Sequence, residues 1–262
     1  MAHASIMSDE FFHCALITGA ARRIGRAMAL DLAAHGWAVA IHYNSAGEAA
    51  RGVATEIEEK GGRAVALKAD LMRDEDIAEL LPRAAEAIGS ITCLINNASV
   101  FGRDTAETVT RESWDLHMQV NLRGPFVLSQ ALSANLPDGI EGNIINMIDQ
   151  RVWNLTPYFT SYTVSKSALW TLTRTLALAF APRIRVNAIG PGPTLRSSHQ
   201  TDEQFMRQWL TLPLGRRVTT VEICEAVRFI LDAPAMTGQM IALDGGQHLG
   251  WTQPSEDYRF ED

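Results

Sequence analysis

Tyr162 and Lys166 stand four residues apart in the run Tyr162-Thr163-Val164-Ser165-Lys166, and Asp149 lies thirteen residues upstream of the tyrosine. On a helix, positions i and i+4 share a face, so this spacing sets a phenol beside an ammonium. A nearby positive charge stabilises tyrosinate and lowers the tyrosine pKa. The pair is therefore expected to move protons near neutral pH. Lysine is scarce here: Lys60, Lys68 and Lys166 are the only three, against twenty arginines.

A second group belongs to anion binding. The run Thr18-Gly19-Ala20-Ala21-Arg22-Arg23-Ile24-Gly25 follows an apolar strand and opens a helix. Backbone N–H groups and the helix dipole at such a junction favour a phosphate. Gly19 suits the tight turn, and Gly25 suits close packing of helix on strand. A dinucleotide lacking a 2′-phosphate is usually held by a carboxylate at the end of the second strand. That strand ends Ile41-His42-Tyr43-Asn44-Ser45, with no acid before Glu48. With Arg22, His42 and Ser45 at hand, NADPH is favoured over NADH; the alternative for Arg22 and Arg23 is a solvated basic turn.

These groups need a scaffold, and the hydrophobic pattern supplies one. Apolar runs of strand length (13–18, 37–43, 64–69, 91–96, 142–148, 184–189 and 239–246) alternate with helical patterns at 24–35, 47–60, 74–88, 113–136 and 158–180. Short helices are expected before the last strand. This is an α/β chain, a doubly wound Rossmann-type parallel sheet of about seven strands with helices on both faces. Ligands in such sheets gather beyond the carboxyl ends of the strands. No linker or repeat divides residues 1–262, which read as a single domain. Residues 1–10 read as a disordered lead-in, 193–215 as a substrate lid, and 247–262 as a tail.

Composition excludes several classes. The 262 residues carry 30 acidic and 23 basic side chains, a net charge of −7, which argues against a nucleic-acid partner. No apolar run approaches the roughly 18 residues of a membrane span, and the N-terminus lacks the pattern of a secretory signal. Cys14, Cys93 and Cys224 are odd in number and form no CxxC pair, in keeping with a reducing cytoplasm. The histidines show no metal-ligand spacing, so no metal is expected.

The chain resembles the short-chain dehydrogenase/reductase family over nearly its whole length. The resemblance rests on TGAARRIG at 18–25, Ala69-Asp70-Leu71, Asn96-Asn97-Ala98-Ser99, Asn121, YTVSK at 162–166, Pro191-Gly192-Pro193-Thr194 and Asp244-Gly245-Gly246. It implies that Tyr162 donates the proton and that Lys166 holds the nicotinamide ribose and depresses the Tyr162 pKa. It further implies that Asn121 supports a water relay behind Lys166, and that Asp70 and Leu71 lie beside the adenine. Gly19, Arg22, Arg23, Ile24, Gly25, His42, Tyr43, Asn44, Ser45, Asn97, Ala98, Ser99, Pro191, Gly192 and Thr194 complete the expected cofactor contacts. The family also implies a homotetramer built through the helices at 113–136 and 158–180.

Three positions depart from the common family pattern: Arg23 replaces a glycine, Ser99 replaces a glycine, and Asp149 replaces a serine. A hydroxyl at 149 would hydrogen-bond a substrate carbonyl, whereas an ionised carboxylate would repel it. The same three departures occur in the pteridine reductases and the related bacterial dihydromonapterin/dihydrofolate reductases, which this chain resembles. That likeness implies that Phe101 stacks a flat pterin on the nicotinamide, that Ser99 and Arg23 contact pterin and phosphates, and that Asp149 pairs with Tyr162. The alternative for Phe101 is an ordinary loop hydrophobe closing the core, and Trp153, Tyr158 and Trp209 could line the pocket or pack in the core. The rival readings are a short-chain carbonyl or 3-oxoacyl reductase and a catalytically weak NADPH-binding sensor.

Overall fold

The computed structural model describes residues 13–197 and 200–250. The expected lead-in, two residues of the expected lid, and the tail beyond residue 250 lie outside the described residues. Seven strands form one parallel sheet: β1 (Cys14–Ile17), β2 (Ala38–Tyr43), β3 (Ala64–Lys68), β4 (Cys93–Asn96), β5 (Gly142–Met147), β6 (Ile184–Pro191) and β7 (Met240–Leu243). Their order is β3-β2-β1-β4-β5-β6-β7. The order reverses between β1 and β4, which opens a crevice at their carboxyl ends.

Among the described residues there are eight α-helices, α1 (Arg23–Ala34), α2 (Gly47–Glu59), α3 (Asp74–Ile88), α4 (Arg111–Met118), α5 (Gly124–Asn135), α6 (Thr160–Ala179), α7 (Asp202–Leu210) and α8 (Thr220–Asp232), and both faces of the sheet are covered. The central strands alternate their apolar side chains between two cores, as doubly covered strands must. Ala15, Ile17, Val39 and Ile41 pack under α1, α2 and α8. Leu16, Ala40, Leu94 and Ile144 pack with the helices of the other face.

Two helices differ from their expected form. The helix expected over 113–136 is interrupted by a π-helical turn at Gln119–Arg123. Hydrophobic periodicity cannot show one inserted residue, because the apolar stripe continues on both sides of it. The helix expected from Tyr158 begins at Thr160, because Phe159 adopts a left-handed backbone with φ 61°. Near the C-terminus α8 is longer than a short connector; a capping box of Thr219 with Glu222 fixes its start.

Candidate active site

At the carboxyl ends of β1 and β4 the strands bond to each other's loops. Thr18 Oγ1 accepts the N–H groups of Asn97 and Ala98, both at 2.9 Å. Asn97 Nδ2 donates to the carbonyls of Thr18 at 2.8 Å and Gly19 at 3.2 Å. A side chain at Gly25 would lie 2.4 Å from the Gly19 carbonyl oxygen, so only glycine lets α1 approach this turn. The first-turn N–H groups of α1 have no intrahelical partner, and the side chain of Arg22 at the N-cap makes no capping hydrogen bond.

Arg23 has a left-handed backbone, φ 55°, at the position where glycine was expected. Its guanidinium donates to the carbonyls of Arg196 at 2.7 Å and Leu195 at 3.0 Å, which ties the turn to the segment after β6. His42, expected among the cofactor contacts, is held within the turn. Nδ1 accepts the Gly19 N–H at 3.0 Å and Nε2 lies 3.1 Å from the Ala69 carbonyl. Burial pulls its pKa down to about 4, so a neutral ring braces the turn.

The turn opens into a cavity of about 640 Å³. Gly19, Arg22, Arg23, Ile24, Gly25, His42, Asn44, Asp70 and Leu71 line one part of it. Asn97, Ala98, Ser99, Phe101, Asp149, Tyr162, Lys166, Pro191, Gly192 and Thr194 line the rest. Tyr43 and Ser45 face a separate shallow concavity beside it, with Arg22, Arg51 and Lys68. Arg51 and Lys68 escaped the sequence reading because nothing in their spacing shows that α2 and β3 bring them together. Trp153, Tyr158 and Trp209 are not among the residues lining the cavity. Trp153 instead packs edge-on against Trp170 and His248.

At the floor of the cavity the Tyr162 hydroxyl donates to Asp149 Oδ2 at 3.0 Å. Asp149 Oδ1 accepts the Arg151 N–H at 2.8 Å, which fixes the carboxyl group by capping the short turn that follows β5. Burial raises the Tyr162 pKa well above its ordinary value, and the Asp149 charge and hydrogen bond add to the effect; Arg151 opposes it. Lys166 does not figure among the causes of this shift. Lys166 Nζ donates to the Met147 carbonyl at 2.8 Å and lies 5.8 Å from the Tyr162 ring centre.

Asn121 sits on the π turn, fully buried, and does not bond Lys166. Oδ1 accepts the Val100 N–H at 2.8 Å and the Ser99 hydroxyl at 3.2 Å. Nδ2 donates to the Val100 carbonyl at 3.0 Å and to Ser165 Oγ at 3.1 Å. It clamps the loop after β4 onto α6. That loop carries Phe101, half exposed, stacked on Phe159 at 4.5 Å and edge-on to Tyr162 at 4.8 Å. The Arg151 guanidinium lies over the other aromatic of the pair, 4.8 Å from the Phe159 ring centre. Phe159 and Arg151 also line the cavity; neither was singled out from sequence.

A family model described as enoyl-(acyl carrier protein) reductase matches residues 19–248. The chain belongs to the short-chain dehydrogenase/reductase family. Among solved structures of the family, FolM alternative dihydrofolate reductase 1 from Brucella suis, in complex with NADP, is 48% identical. It covers 92% of this chain and 97% of its own, with a TM-score of 0.90. The Brucella canis counterpart, also complexed with NADP, is 47% identical over 92% and 96% of the two chains, with a TM-score of 0.88. The 3-oxoacyl-[acyl-carrier-protein] reductase FabG of Staphylococcus epidermidis is 31% identical over 90% of this chain and 98% of its own. No described helix of this family member is long and apolar enough to cross a membrane.

Proposed function

We propose that this chain is an NADPH-dependent reductase that delivers hydride to a C=N bond of a pteridine, taking a dihydropterin or dihydrofolate to its tetrahydro form. The observation that carries this reading is the hydrogen bond from Tyr162 to Asp149 beneath Phe101. A carboxylate at that point repels the oxygen charge that develops when a carbonyl is reduced. A heterocycle with N–H donors meets it favourably. Reduction of C=N also leaves a nitrogen more basic than a reduced carbonyl oxygen, and such an acceptor can take a proton from a phenol of raised pKa. Similarity to the two Brucella dihydrofolate reductases points the same way.

The residues present fit the cofactor. The N-terminus of α1 and the Gly19 turn suit its phosphates. Arg22, Arg51 and Lys68, beside Asn44 and Ser45, offer three cations to a 2′-phosphate. Lys166 offers an ammonium to ribose hydroxyls. When bound, NADPH supplies the hydride; Tyr162 supplies the proton, Asp149 fixes the phenol, and Phe101 provides an aromatic face for a flat ring.

We also assign the enzyme to the cytoplasm, where three buried cysteines with no CxxC spacing stay reduced, and to a homotetramer. The test follows NADPH consumption with dihydrofolate, short dihydropterins, an acetoacetyl thioester and a diketone. Turnover is expected with the pterins, and Tyr162→Phe should reduce it by at least about a hundredfold. Turnover confined to the thioester or diketone would overturn the reading in favour of the carbonyl reductase that the FabG similarity suggests.

A further inference from the structure

We propose that Asp104 is a positioning residue that locks the loop bearing Ser99 and Phe101 to the helix bearing Tyr162 and Lys166. It thereby sets the angle at which a substrate ring meets the proton donor. The proposal rests on the pteridine reading only for the identity of that substrate.

The start of α6 is unusual. Its first flanking residue, Phe159, is left-handed and its own side chain caps nothing. Asp104, 57 residues from Ser161 in sequence, does the capping instead. Its Oδ1 accepts the Ser161 N–H at 3.1 Å, and its Oδ2 accepts the Ser161 hydroxyl. Its backbone carbonyl accepts the Phe159 N–H at 2.7 Å. Thr105 and Tyr158 add an antiparallel bridge beside it.

A third element holds the same loop. Ser113 Oγ, on α4, donates to Asp104 Oδ2 at 3.0 Å. His117 Nε2 accepts the Gly102 N–H at 3.1 Å, while Nδ1 lies 2.7 Å from the Ser113 carbonyl and 2.9 Å from Ser161 Oγ. Asp104, His117 and Ser161 are all buried. A carboxyl group taken out of water is costly unless its lone pairs are met, and here three donors meet it. Burial works to raise the Asp104 pKa; the hydrogen bonds from Ser161 and Ser113 overcome it and hold the group below its ordinary value.

A fully satisfied buried network fixes one arrangement of the elements it joins. What this one fixes is the Phe101–Phe159 stack and the edge of Phe101 on Tyr162. Asp104 touches neither the reacting atoms nor the cofactor turn, so its loss should alter pterin presentation and leave NADPH binding intact.

The test compares Asp104→Ala, Asp104→Asn and Ser161→Ala with the wild type by steady-state kinetics and by amide hydrogen exchange of the free enzyme. Both alanine variants should lower kcat about tenfold and raise the dihydropterin KM several-fold, with the NADPH KM within about twofold, a scale set by misplacements of an ångström or less. The Gly102 and Ser161 amides should exchange at least about tenfold faster in Asp104→Ala, and the Gly102 amide in Ser161→Ala, where Asp104 still accepts the N–H of residue 161. Asp104→Asn keeps an acceptor for the Ser161 N–H and should recover most of the rate.

Wild-type kinetics and exchange in Ser161→Ala would overturn the proposal, and that variant decides the matter if Asp104→Ala does not fold. Parallel loss of NADPH binding and pterin turnover would overturn it as well, since that marks a general structural defect. If the wild type reduces no pterin, the pteridine reading fails, and the exchange rates alone decide whether Asp104 joins loop to helix.

Discussion

Lys166 is buried, and burial pulls its ammonium down to about 8, with the Asp149 charge working against that shift. Below pH 8 the side chain is charged, donates to the Met147 carbonyl and can serve ribose hydroxyls; above it the charge is lost. For the free enzyme, kcat/KM for NADPH should therefore fall as pH rises, with an apparent pKa near 8. Lys166→Arg keeps its charge throughout this range and should move that limb beyond it; an unchanged limb would assign the titration to another group. Stability responds with the opposite sign. Between about 8 and the ordinary value of 10.5 the unfolded chain holds a proton that the folded chain has released. This one group therefore makes the fold more stable as pH rises through that window.

At the scale of elements, the π turn between α4 and α5 matters most, because it directs Asn121 at the Val100 backbone and at Ser165. π turns inside α-helices are frequent at functional sites. Asn121→Ala should leave the half-buried Val100 N–H without its acceptor, at a cost of about 1 kcal/mol. Urea denaturation should show that loss, together with reduced turnover, since the same clamp holds the Ser99–Phe101 loop; unchanged stability would refute the clamp. The strands were legible because continuous apolar runs have few other uses, and the Tyr162–Lys166 pair because four residues span one helical turn. The π turn, the left-handed Phe159 and the Asp104 cap were not. Each depends on a partner distant in sequence, and each breaks a local rule that pattern reading must assume. For the same reason His42 read as a phosphate ligand: its identity was visible, but the Gly19 N–H and Ala69 carbonyl that occupy it were not.

The whole molecule places its cavity at the sheet's switch point, and its surface bears on assembly. Val164, Thr171 and Leu178 recur every seventh residue on α6, and all three are exposed. Leu178 is 84% exposed, an unusual position for a leucine near the end of a helix that otherwise buries its apolar face. Trp114 on α4 and Val221 and Phe229 on α8 are exposed as well. A closed, symmetric assembly of the kind proposed would cover such groups. Sedimentation equilibrium should give a mass four times that of the chain. Leu178→Glu puts a charge into any interface built on this exposed face of α6, so it should reduce the assembly to dimers or monomers while leaving each sheet folded by circular dichroism. A wild-type monomer would refute the tetramer. A tetramer that tolerates Leu178→Glu would instead place its contacts on α8, where Val221 and Phe229 are exposed.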